Sequence, residues 1–103
     1  MDAAHFTQIL TDRKAYLESS LNHIEHELDK EPSKDFEDRA TEREGDEVME
    51  HLGTAELAEL RAVNAALHRL KDGTYGDCAA CGEEISTARL EVVPHTQTCR
   101  KCA

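Results

Sequence analysis

All four cysteines of this 103-residue chain lie near its C-terminal end, as Cys78-Ala79-Ala80-Cys81 and Cys99-Arg100-Lys101-Cys102. The two Cys-x2-Cys pairs are separated by the seventeen residues 82–98, within the ~15–20 expected of a zinc site. Each pair can offer two sulfurs to one ion, and the intervening segment is long enough to bring the second pair round and complete a tetrahedron. Four thiolates leave no open coordination position, so a zinc ion held there is structural and not catalytic. The competing arrangement, two disulfides, belongs to an oxidising compartment, and no apolar secretory segment is seen at Met1 to route the chain to one. Cys78, Cys81, Cys99 and Cys102 are therefore assigned to one structural Zn(2+). His95, four residues before Cys99, is the nearby rival ligand and is read as an exposed finger residue.

Composition narrows what surrounds this site. Hydrophobic residues make up 39%, aromatics 4% and charged residues 33%, with no tryptophan. That is too little bulky apolar material for a large globular core, and it suits long exposed helices whose narrow seam is their buried surface. No run approaches the ~18 apolar residues that a membrane span requires, so a cytoplasmic protein is expected. The formal net charge is -10. A duplex-DNA binder gains affinity by neutralising phosphates with Lys and Arg, so direct, sequence-specific DNA binding is not expected. A basic protein surface suits this charge better.

Periodicity supplies the rest of the architecture. Over residues 3–30, Phe6, Leu10, Leu17, Leu21, Ile24 and Leu28 follow steps of a heptad seam, interrupted by Arg13, whose stem can still pack. His23 and His26, three apart, are read as exposed polar positions and not as a metal pair. Pro32 cannot continue the helix and biases Glu31 away from helical dihedrals, so residues 31–34 are expected to form the turn of an antiparallel pair. Ser33 is the expected N-cap of a second helix running from about residue 35 to 71 or 72, with Gly73 as its C-cap. Folding the chain at this turn places Leu28 near Phe36 and Ala40, Leu21 near Val48, Leu17 near Leu52, and Phe6 near Leu60 and Val63. The expected second seam is Val48, Leu52, Ala55, Leu60, Val63, Leu67 and Leu70. Residues 41–47 contain no apolar side chain, and Gly45 costs about 1 kcal/mol in a helix interior. With Gly53 as a second weak point, the distal third should be the least stable part.

The expected fold is therefore all-α: a long antiparallel coiled-coil helical hairpin over 1–72, with an acidic tip at 31–40, and a C-terminal four-cysteine zinc finger over 73–103. Ile85, Leu90, Val92 and Val93 suffice for a short strand or turn and a small contact with the helix ends. Arg89, Arg100 and Lys101 give the finger a slightly basic face.

The finger sequence resembles a known family. Tyr75-Gly76-Asp77-Cys78-Ala79-Ala80-Cys81-Gly82-Glu83-Glu84-Ile85, then Ala88-Arg89-Leu90-Glu91, Pro94 and Cys99-Arg100-Lys101-Cys102 are similar to the zinc finger of DksA/TraR bacterial transcription regulators. Asp35-Phe36-Glu37-Asp38-Arg39-Ala40 also fits the Asp-x-x-Asp-x-Ala tip of functional members, and it falls where periodicity places the hairpin end. The resemblance implies a non-enzymatic regulator that binds RNA polymerase directly, inserts the coiled-coil tip into the secondary channel and alters promoter complexes during initiation. It assigns Asp35, Asp38 and Ala40 to contact with polymerase.

Two departures from the family matter. The chain is shorter at both ends than longer relatives, which have an additional C-terminal helix. Some relatives also respond to the alarmone ppGpp through basic residues, and the corresponding positions here are Ala62, Val93 and Ala103, which cannot form charge-assisted bonds to phosphate. Dependence on ppGpp is expected to be weak or absent, unless Arg61, Arg89 or Lys101 substitutes. A monomer is expected, because an intramolecular hairpin uses its own seam. The alternative is a structural or adaptor protein that dimerises through the coiled coil. A metal-dependent nuclease built on Asp35 and Asp38 lacks further ligands and a base.

Overall fold

The computed structural model describes residues 1–28 and 36–103, with side chains described for all of these except 36–44. Three helices are present among them: α1 (Ala3–Leu28), α2 (Phe36–Asp72) and α3 (Thr87–Val92). The extents are 57 × 26 × 19 Å, set by α1 and α2 packing along one another as a hairpin. The expected turn at 31–34, its Ser33 cap and the pairing of Leu28 with Phe36 and Ala40 lie outside the described residues.

The α1 seam follows the heptad. Phe6, Leu10, Leu17 and Ile24 are buried, and Leu21 and Leu28 are half-buried. Arg13 departs from it. Its guanidinium leaves the seam and grips Glu59 of α2, with Nη2 donating to Oε1 at 2.8 Å and Nε donating to Oε2. The same group lies 4.8 Å from the centre of the Tyr16 ring. The hydrogen bond to Glu59 raises the Arg13 pKa, and that from Arg13 lowers the Glu59 carboxyl. With the Arg13 side chain 45% exposed, such a pair contributes about 1 kcal/mol or less; it aligns the helices more than it stabilises them.

The distal seam of α2 differs from expectation. Val48 and Leu52 are 67% and 45% exposed, and Ala55 also faces solvent. The expected pairing of Leu21 with Val48 and of Leu17 with Leu52 forms no buried contact. Counting back in heptad steps from Leu70, Leu67, Val63 and Leu60 gives Glu56, Gly53 and Met49, which are the positions turned toward α1. A seam through Ala55 would need a five-residue step to Leu60, which an unbroken α-helix does not supply. A Cβ built at Gly53 would stand 3.5 Å from Ile24 Cγ2, in ordinary van der Waals contact, which places Gly53 on the face turned toward α1. Glu56 is 8% exposed, and its Oε2 has no hydrogen-bond partner. A buried polar group left unsatisfied costs about 1–3 kcal/mol. Glu56→Leu should therefore raise stability by about 1–3 kcal/mol, read from the denaturant midpoint. A lower midpoint would mean that the carboxylate supports the fold.

At the other end, α2 runs directly into the finger. Gly73, at φ +82°, takes the left-handed conformation that closes a helix. The N–H groups of Thr74 and Tyr75 then donate to the Arg69 carbonyl at 3.0 and 3.2 Å. The reversal turns Tyr75 into the core, where its ring lies 5.6 Å from that of Phe6 and its hydroxyl donates to the Pro94 carbonyl at 2.9 Å. Burial pushes the Tyr75 pKa up to about 12. Ser86 caps α3, its Oγ accepting from the Arg89 N–H at 3.2 Å. Ile85 and Leu90 are buried in the same cluster as Phe6, Leu10, Leu17, Val63, Ala66, Tyr75 and Cys78. The finger thus makes more than the expected small contact, because Tyr75, Ile85 and Leu90 complete the core at the hairpin base. His5 of α1 and Glu91 of α3 add an exposed link at 2.9 Å.

Candidate metal centre

The first cysteine pair sits in a tight knuckle. Asp77 and Glu84 form an isolated antiparallel bridge, and the Cys78 N–H donates to the Glu83 carbonyl at 2.8 Å. Within the turn, the Gly82 N–H donates to the Cys78 carbonyl at 2.9 Å. Gly82 has φ +76°, a conformation that side-chain-bearing residues adopt at a cost. The chain therefore reverses just past Cys81, which turns both sulfurs to one side.

The second pair is brought over this knuckle by backbone bonds and two arginines. Ala79 N–H donates to the Gln97 carbonyl at 2.8 Å, and Cys102 N–H to the Cys99 carbonyl at 3.0 Å. Arg89 donates through Nε to the Thr98 carbonyl at 3.0 Å and through Nη2 to Thr96 Oγ1 at 3.3 Å. Arg69 Nη2 reaches the Thr96 carbonyl at 3.3 Å. Arg89, expected on a basic face, is instead half-buried and holds the segment leading to Cys99.

The four sulfurs lie within 4.8 Å of one another, and Cys81 Sγ is 3.7 Å from Cys99 Sγ. A tetrahedral zinc with ~2.3 Å bonds places its sulfurs about 3.8 Å apart, whereas disulfide sulfurs are about 2.05 Å apart. All four cysteines are free, and the donor set fits one zinc ion. Cys78 is buried, Cys99 half-buried, and Cys81 and Cys102 exposed.

The electrostatics of the cluster suit a bound cation. The Cys99 N–H, which donates to Cys78 Sγ at 3.3 Å, is the main cause that brings the Cys78 thiol down to about 6, followed by the Cys81 N–H. Cys102 is pushed up to about 12, first by the Cys99 sulfur and then by those of Cys81 and Cys78. Cys81, although pulled down by the Glu83 N–H, is pushed up by the Cys78 and Cys99 sulfurs. One thiolate is stabilised and its neighbours resist ionising beside it; a divalent ion permits all four to bind as thiolates.

His95 is outside this cluster. It is half-buried, not exposed as expected, and its charge helps lower the Glu59 carboxyl. Among the described residues, His23 and His26 gain no further ligands. Asp35 lies outside the described residues; Asp38 and Ala40 fall within α2, with side chains outside them. Two structural residues escaped sequence reading. Tyr75 was signalled only by its place beside a helix-ending glycine, and Arg89 by the Ser86 cap that makes its segment helical.

A helical hairpin whose base is completed by a four-cysteine finger defines this molecule as a C4 zinc-finger protein. The chain matches the DnaK suppressor protein-like N-terminal domain over residues 6–70 and the prokaryotic dksA/traR C4-type zinc finger over residues 73–103. It belongs to the DksA/TraR family. An uncharacterized protein of Aquifex aeolicus is 43% identical over 77 residues, covering 75% of this chain and 52% of the relative. The RNA polymerase-binding transcription factor DksA of Haemophilus influenzae is 32% identical over 80 residues, covering 78% of this chain and 54% of the relative. The chain thus spans about half the length of these curated relatives. The solved structure of transcription factor DksA2 from Pseudomonas aeruginosa superposes with a TM-score of 0.86 at 27% identity, covering 97% of this chain and 78% of the other.

Proposed function

We propose that this protein regulates transcription initiation by binding RNA polymerase directly, with the hairpin inserted into the secondary channel and the finger held at its rim. The observation that carries this reading is the combination of a hairpin anchored at its zinc-finger base and a tip motif in the sequence. The zinc-finger core fixes one end of α1 and α2, and residues Phe36 to Ala40 of the Asp-x-x-Asp-x-Ala motif stand at the start of α2, at the opposite end of that helix from the finger. The name of the Haemophilus relative supports polymerase as the partner class.

In this reading Asp35 and Asp38 meet basic side chains of the polymerase, and Ala40 permits close approach. The protein performs no chemistry and reads no DNA sequence, in keeping with its net charge of -10. It acts as a monomer, α1 and α2 occupying one another's seams. Dependence on ppGpp is weak or absent. Arg89 is committed to Thr96 and Thr98, which leaves Arg61 and Lys101 as the exposed cations among the possible substitutes.

The test is a pull-down with purified cognate RNA polymerase together with open-complex lifetimes. Wild type should bind and change the lifetime; Asp38→Asn should still bind while its effect on lifetime falls by about tenfold or more, the result of losing about 1.4 kcal/mol of charge-assisted contact. Wild type that neither binds nor alters lifetime would overturn the reading. Full activity in Asp38→Asn would remove the tip assignment.

A further inference from the structure

We propose that the distal part of α2 is a two-state rotary element, able to exchange the seam Met49–Gly53–Glu56 for the adjacent seam Val48–Leu52–Ala55. The two stripes lie one residue apart, so the exchange is a turn of about 100° about the helix axis. In the observed state, α1 receives a glycine and a carboxylate while the better apolar stripe faces water. Glu56 is 8% exposed, with Oε2 unpartnered, and Val48 and Leu52 are 67% and 45% exposed. Turning the helix buries Val48, Leu52 and Ala55 against α1 and returns the Glu56 carboxylate to solvent. Both changes favour the rotated state, against the attraction between Glu56 and the Arg13 guanidinium.

A second opposing term is the join. Val48, Leu52 and Ala55 follow heptad steps among themselves, but Ala55 stands five residues from Leu60, where the fixed part of the seam begins. That extra residue requires one turn of the wider i→i+5 type, a π-bulge, between them. Leu57 is 40% exposed and Ala58 is exposed, so a bulge there meets no packed side chain. Beyond the join, the complete burial of Val63 and Ala66 keeps the proximal helix from turning, and the grip of Arg13 on Glu59 holds the near side of the join. Gly53 presents no side chain to Ile24 in the observed state, so turning it away gives up little packing. Since Asp38 and Ala40 belong to the same helix, the rotation turns them with it; that last consequence alone rests on the proposed function.

The experiment is methyl relaxation dispersion and NOE spectroscopy on the zinc-loaded full chain. Wild type should show microsecond-to-millisecond exchange at Val48, Leu52 and Ile24, with a minor state of about 0.1–10%. Glu56→Leu, which removes the penalty on the observed seam, and Leu52→Glu, which places a charge in the rotated one, should each flatten the dispersion. Met49→Lys should do the opposite and make NOEs from Val48 and Leu52 methyls to Ile24 dominant. If Met49→Lys fails to fold, Leu52→Glu decides alone, since its side chain is exposed in the observed state. Flat dispersion in wild type overturns the proposal. So does exchange that persists unchanged in Glu56→Leu and Leu52→Glu, because fraying of the helix would be indifferent to which seam is favoured. No polymerase enters this measurement, so its outcome is independent of the pull-down.

Discussion

Cys78→Ser is expected to abolish stoichiometric zinc binding and to loosen the hairpin base as well as the finger. Cys78 is the buried member of the four and part of the core shared with Phe6, Leu10 and Tyr75. Structural zinc supplies about 10–16 kcal/mol of apparent binding free energy at neutral pH, comparable to the whole stability of a typical small domain. Zinc content and the far-ultraviolet circular dichroism melt measure the two halves of this prediction. A variant that keeps one zinc per chain and its full melting temperature would contradict the four-thiolate site. Acid should act in the same direction on the wild type. The cysteines bind zinc as thiolates, so protons compete with the metal and zinc content should fall as the pH is lowered below neutral.

Phe6→Ala should be the most damaging change outside the finger, lowering stability by about 3–5 kcal/mol. Phe6 is 1% exposed; its ring contacts Tyr75 and meets His5 edge-on at 5.0 Å. It belongs to α1, yet it packs against residues that follow α2. Because Cys78 shares the cluster, the variant should also release zinc to a competing chelator faster than wild type, although no ligand has been altered. A loss below about 1 kcal/mol would mean that the finger and the hairpin base do not share a core.

The metal centre and the hairpin were legible in the sequence for simple reasons. Spacing determines whether two cysteine pairs can surround one ion, and a heptad determines which face of a helix is dry. Phe6, Leu10, Leu17 and Ile24 were readable because they are both apolar and in phase. The distal half of α2 was not, because there phase and hydrophobicity disagree: Val48 and Leu52 are apolar and out of phase, whereas Gly53 and Glu56 are in phase and unsuited to burial. Continuity of the helix wins over side-chain preference in the observed state. The roles of Tyr75 and Arg89 were hidden for another reason. They depend on contacts between residues far apart in sequence, Tyr75 with Phe6 and Arg89 with the segment before Cys99, which no local pattern encodes.

The core shared by α1 and the finger also sets an order of events during synthesis. Phe6 and Leu10 leave the ribosome before Tyr75, Ile85 and Leu90, which share their core and emerge roughly seventy residues later. At common elongation rates of about 5–20 residues per second, the apolar face of α1 waits for several seconds beside an incomplete α2. The last cysteine pair, with its zinc, closes a pocket that has stood open while the residues between were added.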